Sequence, residues 1–306
     1  MRSTIVRTLA EEASAGTDVH LLTGDLGFKV LDPFRELHPE RFTNVGVSEA
    51  NMVSLAAGMA HTGKRPVCYS MVPFLFYRAF ECVRLDVVAH KLPVVLVGVG
   101  GGLSYGHEGI SHHAVEDLAI ARSLPGLQVL APGDPWEAEA AVRIALRHDG
   151  PTFIRVGQNN DPKVHAARMD TLAHPLRIAG TSASVVVLAT GHIVAAAKDA
   201  CERVASSAHT DVSLFSVPSI KPFDTAFLCD VAKSAKVIVT IEEHSVVGGL
   251  GSLVAEELLR ARWNGHLERI ALPDAYCETH GSLPWLRKHY GLDADTLAKR
   301  IAAIQA

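Results

Sequence analysis

Pro93–Val99 reads PVVLVGV, an apolar, β-branched run with no in/out alternation that opens directly onto Gly100, Gly101 and Gly102. A strand with one wet face alternates apolar and polar residues, whereas a parallel strand covered by helices on both faces does not. Similar short runs lie on either side: Val19–Leu22, Phe42–Val47, Pro66–Ser70, Leu127–Leu130 and Thr152–Val156, separated by longer helical patterns. This βαβ rhythm predicts a doubly wound α/β domain over residues 1–165. From Asn159 the pattern breaks into NNDPKVHAARMDTLAHPLR, and residues 166–178 read as a linker. The rhythm restarts at Ser184–Gly191 (SVVVLATG) and continues through Val212–Ser219, Val237–His244 and Arg269–Asp274, which predicts a second, smaller α/β domain over residues 179–306.

Composition narrows the function classes. The chain has 306 residues, of which 48% are hydrophobic and 20% charged, an ordinary globular balance that excludes disorder. Its apolar runs end in Gly, Pro or charge well short of the roughly 18 residues that cross a bilayer, so no membrane role is expected. A formal charge of −4 without a Lys/Arg block gives no footprint for nucleic acid. The opening MRSTIVRTLAEEAS is an amphipathic first helix with acidic residues, unlike a signal peptide. Five scattered cysteines with no C-x-x-C pair fit a reduced, cytoplasmic compartment and offer no metal site.

Four stretches concentrate chemistry. In NVGVSEANMVSLAAGMAHTGKRPV (Asn44–Val67) an apolar strand is expected to run to Glu49 and a helix to follow, which puts a carboxylate where open α/β sheets bind ligands. Helix capping is the plainer reading of the same residue. MVPFLFYRAFECVRLDV (Met71–Val87) crowds Phe74, Phe76, Tyr77 and Phe80 into a chain that is 6% aromatic. Helical spacing places Phe76 and Phe80 on one face, as core, and leaves Phe74 and Tyr77 at another angle, where they can meet a ring. GVGGGLSYGHEGISHHAVED (Gly98–Asp117) passes from a strand through a Gly-rich loop carrying His107, Glu108, His112 and His113. Glycines there permit positive φ and close approach of a ligand. IEEHSVVGGLGS (Ile241–Ser252) reads as close packing of a strand on a helix, with anion binding at the helix N-terminus as the alternative, since the G-x-G-x-x-G spacing is not met.

Taken in order, these stretches, together with GDLG (Gly24–Gly27), LPGLQVLAPGD and PTFIRVGQ, resemble the C-terminal half of transketolase, above all the chains in which that enzyme is split into two subunits. The resemblance spans essentially the whole chain. It implies a pyrimidine-binding domain followed by a transketolase C-terminal domain, and a role in moving a two-carbon ketol unit from a ketose donor to an aldehyde acceptor with thiamine diphosphate. It makes Glu49 the carboxylate that bonds the pyrimidine ring nitrogen and shuttles the proton that activates the cofactor. Phe74 becomes the stacking aromatic, with Tyr77 beside it, and Met71 stands where the family has an earlier aromatic. The family loop G-x-D-G-x-T-H-Q falls on Gly106–His113, so His112 is the proton-handling or hydroxyl-binding histidine. His107, Glu108 and His113 are implied substrate neighbours, with Glu108 in place of Asp and His113 in place of Gln.

Two departures bear on substrate. The family's phosphate-holding histidine falls on Gly100, and no arginine follows Arg155 in FIRVGQ. Glycine cannot replace a bidentate anion clamp, so the acceptor is expected to be other than an ordinary aldose phosphate, or its anion to be held by Arg78 or by a partner. The family's diphosphate and magnesium motif, G-D-G followed by Asn, is missing. The resemblance therefore implies a second, N-terminal-like subunit holding Mg2+ and diphosphate, and an α2β2 assembly in which this chain also self-associates. The alternatives are a 2-oxo-acid-using relative, such as a deoxyxylulose-phosphate synthase or a dehydrogenase E1 β subunit, a non-catalytic scaffold, and a nucleotide-binding protein using GVGGG as its phosphate loop.

Overall fold

A computed structural model describes residues 1–158, 161–208 and 211–304. Asn159 and Asn160, where the irregular stretch begins, lie outside the described residues. The first sheet contains β1 (Val19–Thr23), β2 (Phe42–Asn44), β3 (Arg65–Met71), β4 (Val95–Val99), β5 (Gln128–Leu130) and β6 (Thr152–Val156), all parallel, in the order β5-β6-β4-β3-β1-β2. Every residue of β4 and β6 is buried, as expected for strands covered on both faces. The second sheet contains β7 (Leu176–Ala179), β8 (Val185–Thr190), β9 (Ser213–Ser216), β11 (Val237–Ser245) and β12 (His266–Leu272) in the order β12-β11-β8-β9-β7, with β7 antiparallel. Both domains are thus α/β layers with a predominantly parallel sheet.

Two boundaries differ from the sequence reading. Leu176–Ala179, expected to be mostly linker, pairs with β9 and begins the second sheet. The residues before it are irregular yet held. Asp134 caps the helix Pro135–Arg147 through Oδ1, which accepts the Glu137 N–H at 2.9 Å. Its Oδ2 accepts the N–H groups of Val164 and His165 at 3.0 and 3.1 Å. The second difference is β10 (Ser219–Lys221), which leaves the second domain and adds antiparallel to β5 at the edge of the first sheet. The edge that β5 would otherwise expose is covered by a strand from the other domain.

The carboxyl edge of the first sheet carries the candidate site. The expectation of a strand running to Glu49 is corrected: β2 ends at Asn44, Gly46 turns the chain at φ +74°, and the helix begins at Glu49 itself. That helix, Glu49–His61, buries Met52, Val53, Ala56, Ala57 and Ala60, the spacing of one apolar face against the sheet. Each large side chain so buried contributes about 1.5–3 kcal/mol. After β3 the chain enters a π-helical turn, Pro73–Arg78, of a kind frequent at functional sites.

Candidate active site at the carboxyl edge of the first sheet

Glu49 is 2% exposed. Its Oε1 accepts the Ser70 hydroxyl of β3 at 3.2 Å, while Oε2 is buried with no partner among the described residues. Gly24, at the exit of β1, lies so close that a β-carbon there would stand 3.0 Å from Oε1. A side chain at residue 24 would therefore close the space that the carboxylate needs. An unpartnered buried carboxylate oxygen costs roughly 1–3 kcal/mol, and a glutamate serving only as a cap does not require it. This arrangement fits a ligand N–H, such as the ring nitrogen of an aminopyrimidine.

The aromatic turn divides its residues between core and site. Phe76 is fully buried against Phe153, with ring centroids 4.6 Å apart, and Phe80 packs on it at 6.1 Å. Phe74 is partly buried and meets His112 edge-on at 5.2 Å. The Ser111 hydroxyl lies 2.9 Å from His112 Nδ1, which holds the ring and leaves Nε2 for a ligand. Met71 is partly buried against the core formed with the first helix. Ser70 and Phe74 thus tie Glu49 and His112 to one strand and the turn that follows it.

Tyr77 is placed differently. Its hydroxyl donates to Glu116 Oε2 at 3.0 Å and accepts the Glu116 N–H at 3.2 Å. It lines a cavity of about 310 Å³ with His113, Glu116 and Cys277, facing the second domain. His113 belongs to that cavity. It is 4% exposed, and neither ring nitrogen completes a hydrogen bond among the described residues. Burial, reinforced by His280, lowers its pKa. His107 and Glu108 are exposed at the tip of the loop, and Arg78 is exposed at the end of the π turn.

The Gly-rich loop is a fixed structure. Gly102 and Ala114 exchange backbone hydrogen bonds of 2.7 and 3.0 Å, closing residues 103–113 into a clamped excursion. Gly109, at φ +73°, accepts the N–H groups of His112 and His113 at 2.9 and 3.1 Å. Arg155 of β6 is buried and structural: its Nε donates to Asp117 Oδ2 at 2.7 Å and its guanidinium to the carbonyls of Ala114 and Glu243.

Sequence reasoning missed Tyr105. Gly100 has φ +82°, and a β-carbon on it would fall within contact of the Tyr105 ring edge. Tyr105 stands 6.1 Å from His112, and its hydroxyl accepts from Arg2 at 3.3 Å. The only available signal was the coincidence of a glycine at residue 100 with an aromatic five residues later.

The GGLG stretch settles as close packing. Glu242 supplies its own carboxylate to the N-terminus of the helix Leu250–Arg260, accepting the N–H groups of Leu250 and Gly251 at 2.7 and 2.8 Å. A β-carbon on Gly249 would collide with that carboxylate. Glu242→Gln is expected to cost about 1–2 kcal/mol, because an amide serves only one of the two N–H groups as acceptor. Thermal unfolding checks this, and an unchanged melting temperature would refute it.

A parallel sheet with a half-partnered buried carboxylate beside an aromatic turn at its carboxyl edge can receive a planar ligand that carries a polar nitrogen. Residues 1–163 match the model of the transketolase pyrimidine binding domain and residues 176–297 that of the transketolase C-terminal domain. The chain belongs to the transketolase family. It is 33% identical to one subunit of the apulose-4-phosphate transketolase of Actinobacillus succinogenes, over 87% of this chain and 85% of the relative. It is also 33% identical to a putative transketolase C-terminal section of Methanocaldococcus jannaschii, over 98% and 95%. Identity to 1-deoxy-D-xylulose-5-phosphate synthase of Chlorobium phaeovibrioides is 37% over 89% of this chain but 42% of that enzyme. A solved split-gene transketolase, described as an inactive β4 tetramer, superposes with a TM-score of 0.87 at 30% identity, covering 99% and 96% of the two chains.

Proposed function

We propose that this chain is the C-terminal-half subunit of a split transketolase, working with an N-terminal-half subunit to move a two-carbon ketol unit from a ketose donor to an aldehyde acceptor. The observation that carries the reading is the buried Glu49 Oε2 left without a partner at the carboxyl edge of a parallel sheet. Thiamine diphosphate, when bound, supplies the carbon nucleophile that the protein's own side chains lack. Glu49 accepts and returns a proton at the pyrimidine ring nitrogen, and burial keeps that exchange away from water. Phe74 offers the ring an apolar face, and Met71 and Tyr77 stand on the same strand and turn. His112, held through Nδ1 by Ser111, presents Nε2 to substrate hydroxyls or to the carbonyl oxygen that gains and loses a proton.

Among the described residues no cluster of three His, Cys, Asp or Glu is arranged to hold a metal ion. On this reading Mg2+ and the diphosphate belong to the partner subunit, because the G-D-G and Asn motif is missing from this sequence. Exposed Phe28, Val47, Leu55 and Leu85 on the first domain support contact with further subunits in an α2β2 assembly. Small sugar-like molecules are the substrates, and no described helix is long and apolar enough to cross a membrane.

Isothermal titration of thiamine diphosphate with magnesium tests the reading. The chain alone is expected to show no binding, and its mixture with the N-terminal-like subunit to bind with micromolar or better affinity. Tight binding by the lone chain, or none by the mixture, would refute the shared site. Release of carbon dioxide from pyruvate by the mixture would replace ketol transfer with the 2-oxo-acid reaction.

A further inference from the structure

The first sheet is parallel, so a helix that precedes one of its strands starts at the carboxyl edge. The helix Arg2–Ser14 therefore brings Arg2 to the same edge as Glu49, Phe74 and the Gly-rich loop. Arg2 meets Tyr105 there through a hydrogen bond of 3.3 Å. The Tyr105 ring lies over Gly100, in the space that any side chain at residue 100 would occupy. On its other side it faces His112, which in turn faces Phe74, so three rings line up along the wall at 6.1 and 5.2 Å. The loop that carries Tyr105 is clamped at its base by the Gly102 and Ala114 backbone bonds, which fixes where its backbone presents the ring.

We propose that Tyr105, braced by Arg2, is the specificity-determining residue of the acceptor channel. It fills the distal end and selects short, unphosphorylated aldehydes over aldose phosphates. This inference rests on the ketol-transfer reading above. Tyr105 acts by occupying volume: its ring fills the space over Gly100 that the far end of a longer, phosphorylated acceptor would need. The phenol, kept neutral by burial although Arg2 opposes the shift, presents one hydroxyl to a sugar hydroxyl. Arg2 is a positioning residue, holding the ring from behind.

The test uses the reconstituted two-subunit enzyme with hydroxypyruvate as donor probe and glycolaldehyde or erythrose 4-phosphate as acceptor probes. The wild type is expected to favour glycolaldehyde by more than about tenfold in kcat/KM, within the range that one pocket contact supplies. Tyr105→Ala is expected to lower that preference at least about tenfold, mainly through a smaller KM for the phosphorylated acceptor. Tyr105→Phe, which keeps the volume, is expected to hold the preference within about threefold. Arg2→Ala is expected to move it part of the way, with Arg2→Lys restoring it.

A ratio unmoved by Tyr105→Ala, or a wild type that uses erythrose 4-phosphate as well as glycolaldehyde, would overturn the inference and leave the ketol-transfer reading standing. No transfer to either acceptor would overturn both. A readout independent of turnover is the melting temperature of Gly100→Ala. The positive φ penalises this change in any background, but the loss is expected to be at least about 3 °C larger with Tyr105 present than in Tyr105→Ala. Equal losses would show that the ring does not fill the space over Gly100, and would overturn the inference without reference to activity.

Discussion

Glu49→Gln is expected to reduce thiamine-diphosphate-dependent ketol transfer by the reconstituted enzyme roughly 10²- to 10⁴-fold, the usual contribution of a positioned proton-transfer group. The same substitution is expected to leave the melting temperature of the isolated chain unchanged or higher. These two results together separate function from structure. Oε1 bonds Ser70, a contact that an amide oxygen can keep. Oε2 bonds nothing among the described residues, so the chain bears the desolvation of a carboxylate for no return in folding. Retaining such a group at a cost to stability is what a functional site requires and a helix cap does not. Turnover by Glu49→Gln within a few-fold of wild type would remove Glu49 from the chemistry. A drop in melting temperature of several degrees would return it to the structural role that its position at the start of a helix first suggested.

How much of this is readable from the sequence depends on the range of the interactions. Pro93–Val99 and Thr152–Val156 declare parallel, buried strands because a covered strand needs no polar face, and β4 and β6 within them are fully buried. Glu49 is legible as a ligand-edge carboxylate from the strand-to-helix change around it, although the intervening turn at Gly46 shifts the strand end to Asn44. Phe76 and Phe80 are legible as core through helical spacing, and the π-helical turn keeps them together. Contacts between residues far apart in the chain are not legible. No local pattern shows that Ser219–Lys221 crosses to the edge of the first sheet, or that Tyr105 lies over Gly100 with Arg2 behind it. His113 and His112 look equivalent in sequence because they are adjacent loop residues. The clamp at Gly109 turns the two apart, one toward Phe74 and the other toward the second domain.

Glu243→Gln is expected to cause the largest loss of stability of any single change considered, about 3–5 kcal/mol near pH 7, the usual consequence of breaking a buried ion pair. Glu243 is 1% exposed and joins three parts of the chain. Its Oε1 accepts the Leu103 N–H of the Gly-rich loop at 2.8 Å and the His192 Nε2–H at 2.8 Å, and its Oε2 accepts Arg287 Nε at 2.6 Å. Gly102 is pressed so closely on this carboxylate that a β-carbon there would collide with Oε1. An amide has one acceptor oxygen for these three donors, so the substitution leaves Arg287 or the loop amide unpaired in the interior. Burial by itself would raise the pKa of Glu243, but Arg287 and then His192 outweigh it and hold the carboxyl well below the ordinary carboxylate range. A depressed folded-state pKa means that the group stabilises the fold fully above its unfolded pKa, about 4.3. The contribution is lost as pH falls through the folded value. The gap in melting temperature between wild type and Glu243→Gln is therefore expected to be constant from pH 8 to about pH 5 and to narrow below about pH 4. A gap independent of pH into the acid range, or one worth less than about 1 kcal/mol, would show that the ion pairs are not what fixes the loop to the second domain. Because Leu103 leads directly into the excursion that carries Tyr105 and His112, hydrogen exchange at the Leu103 amide is expected to accelerate in the same variant. That result would identify Glu243 as the point through which the second domain fixes the shape of the Gly-rich loop.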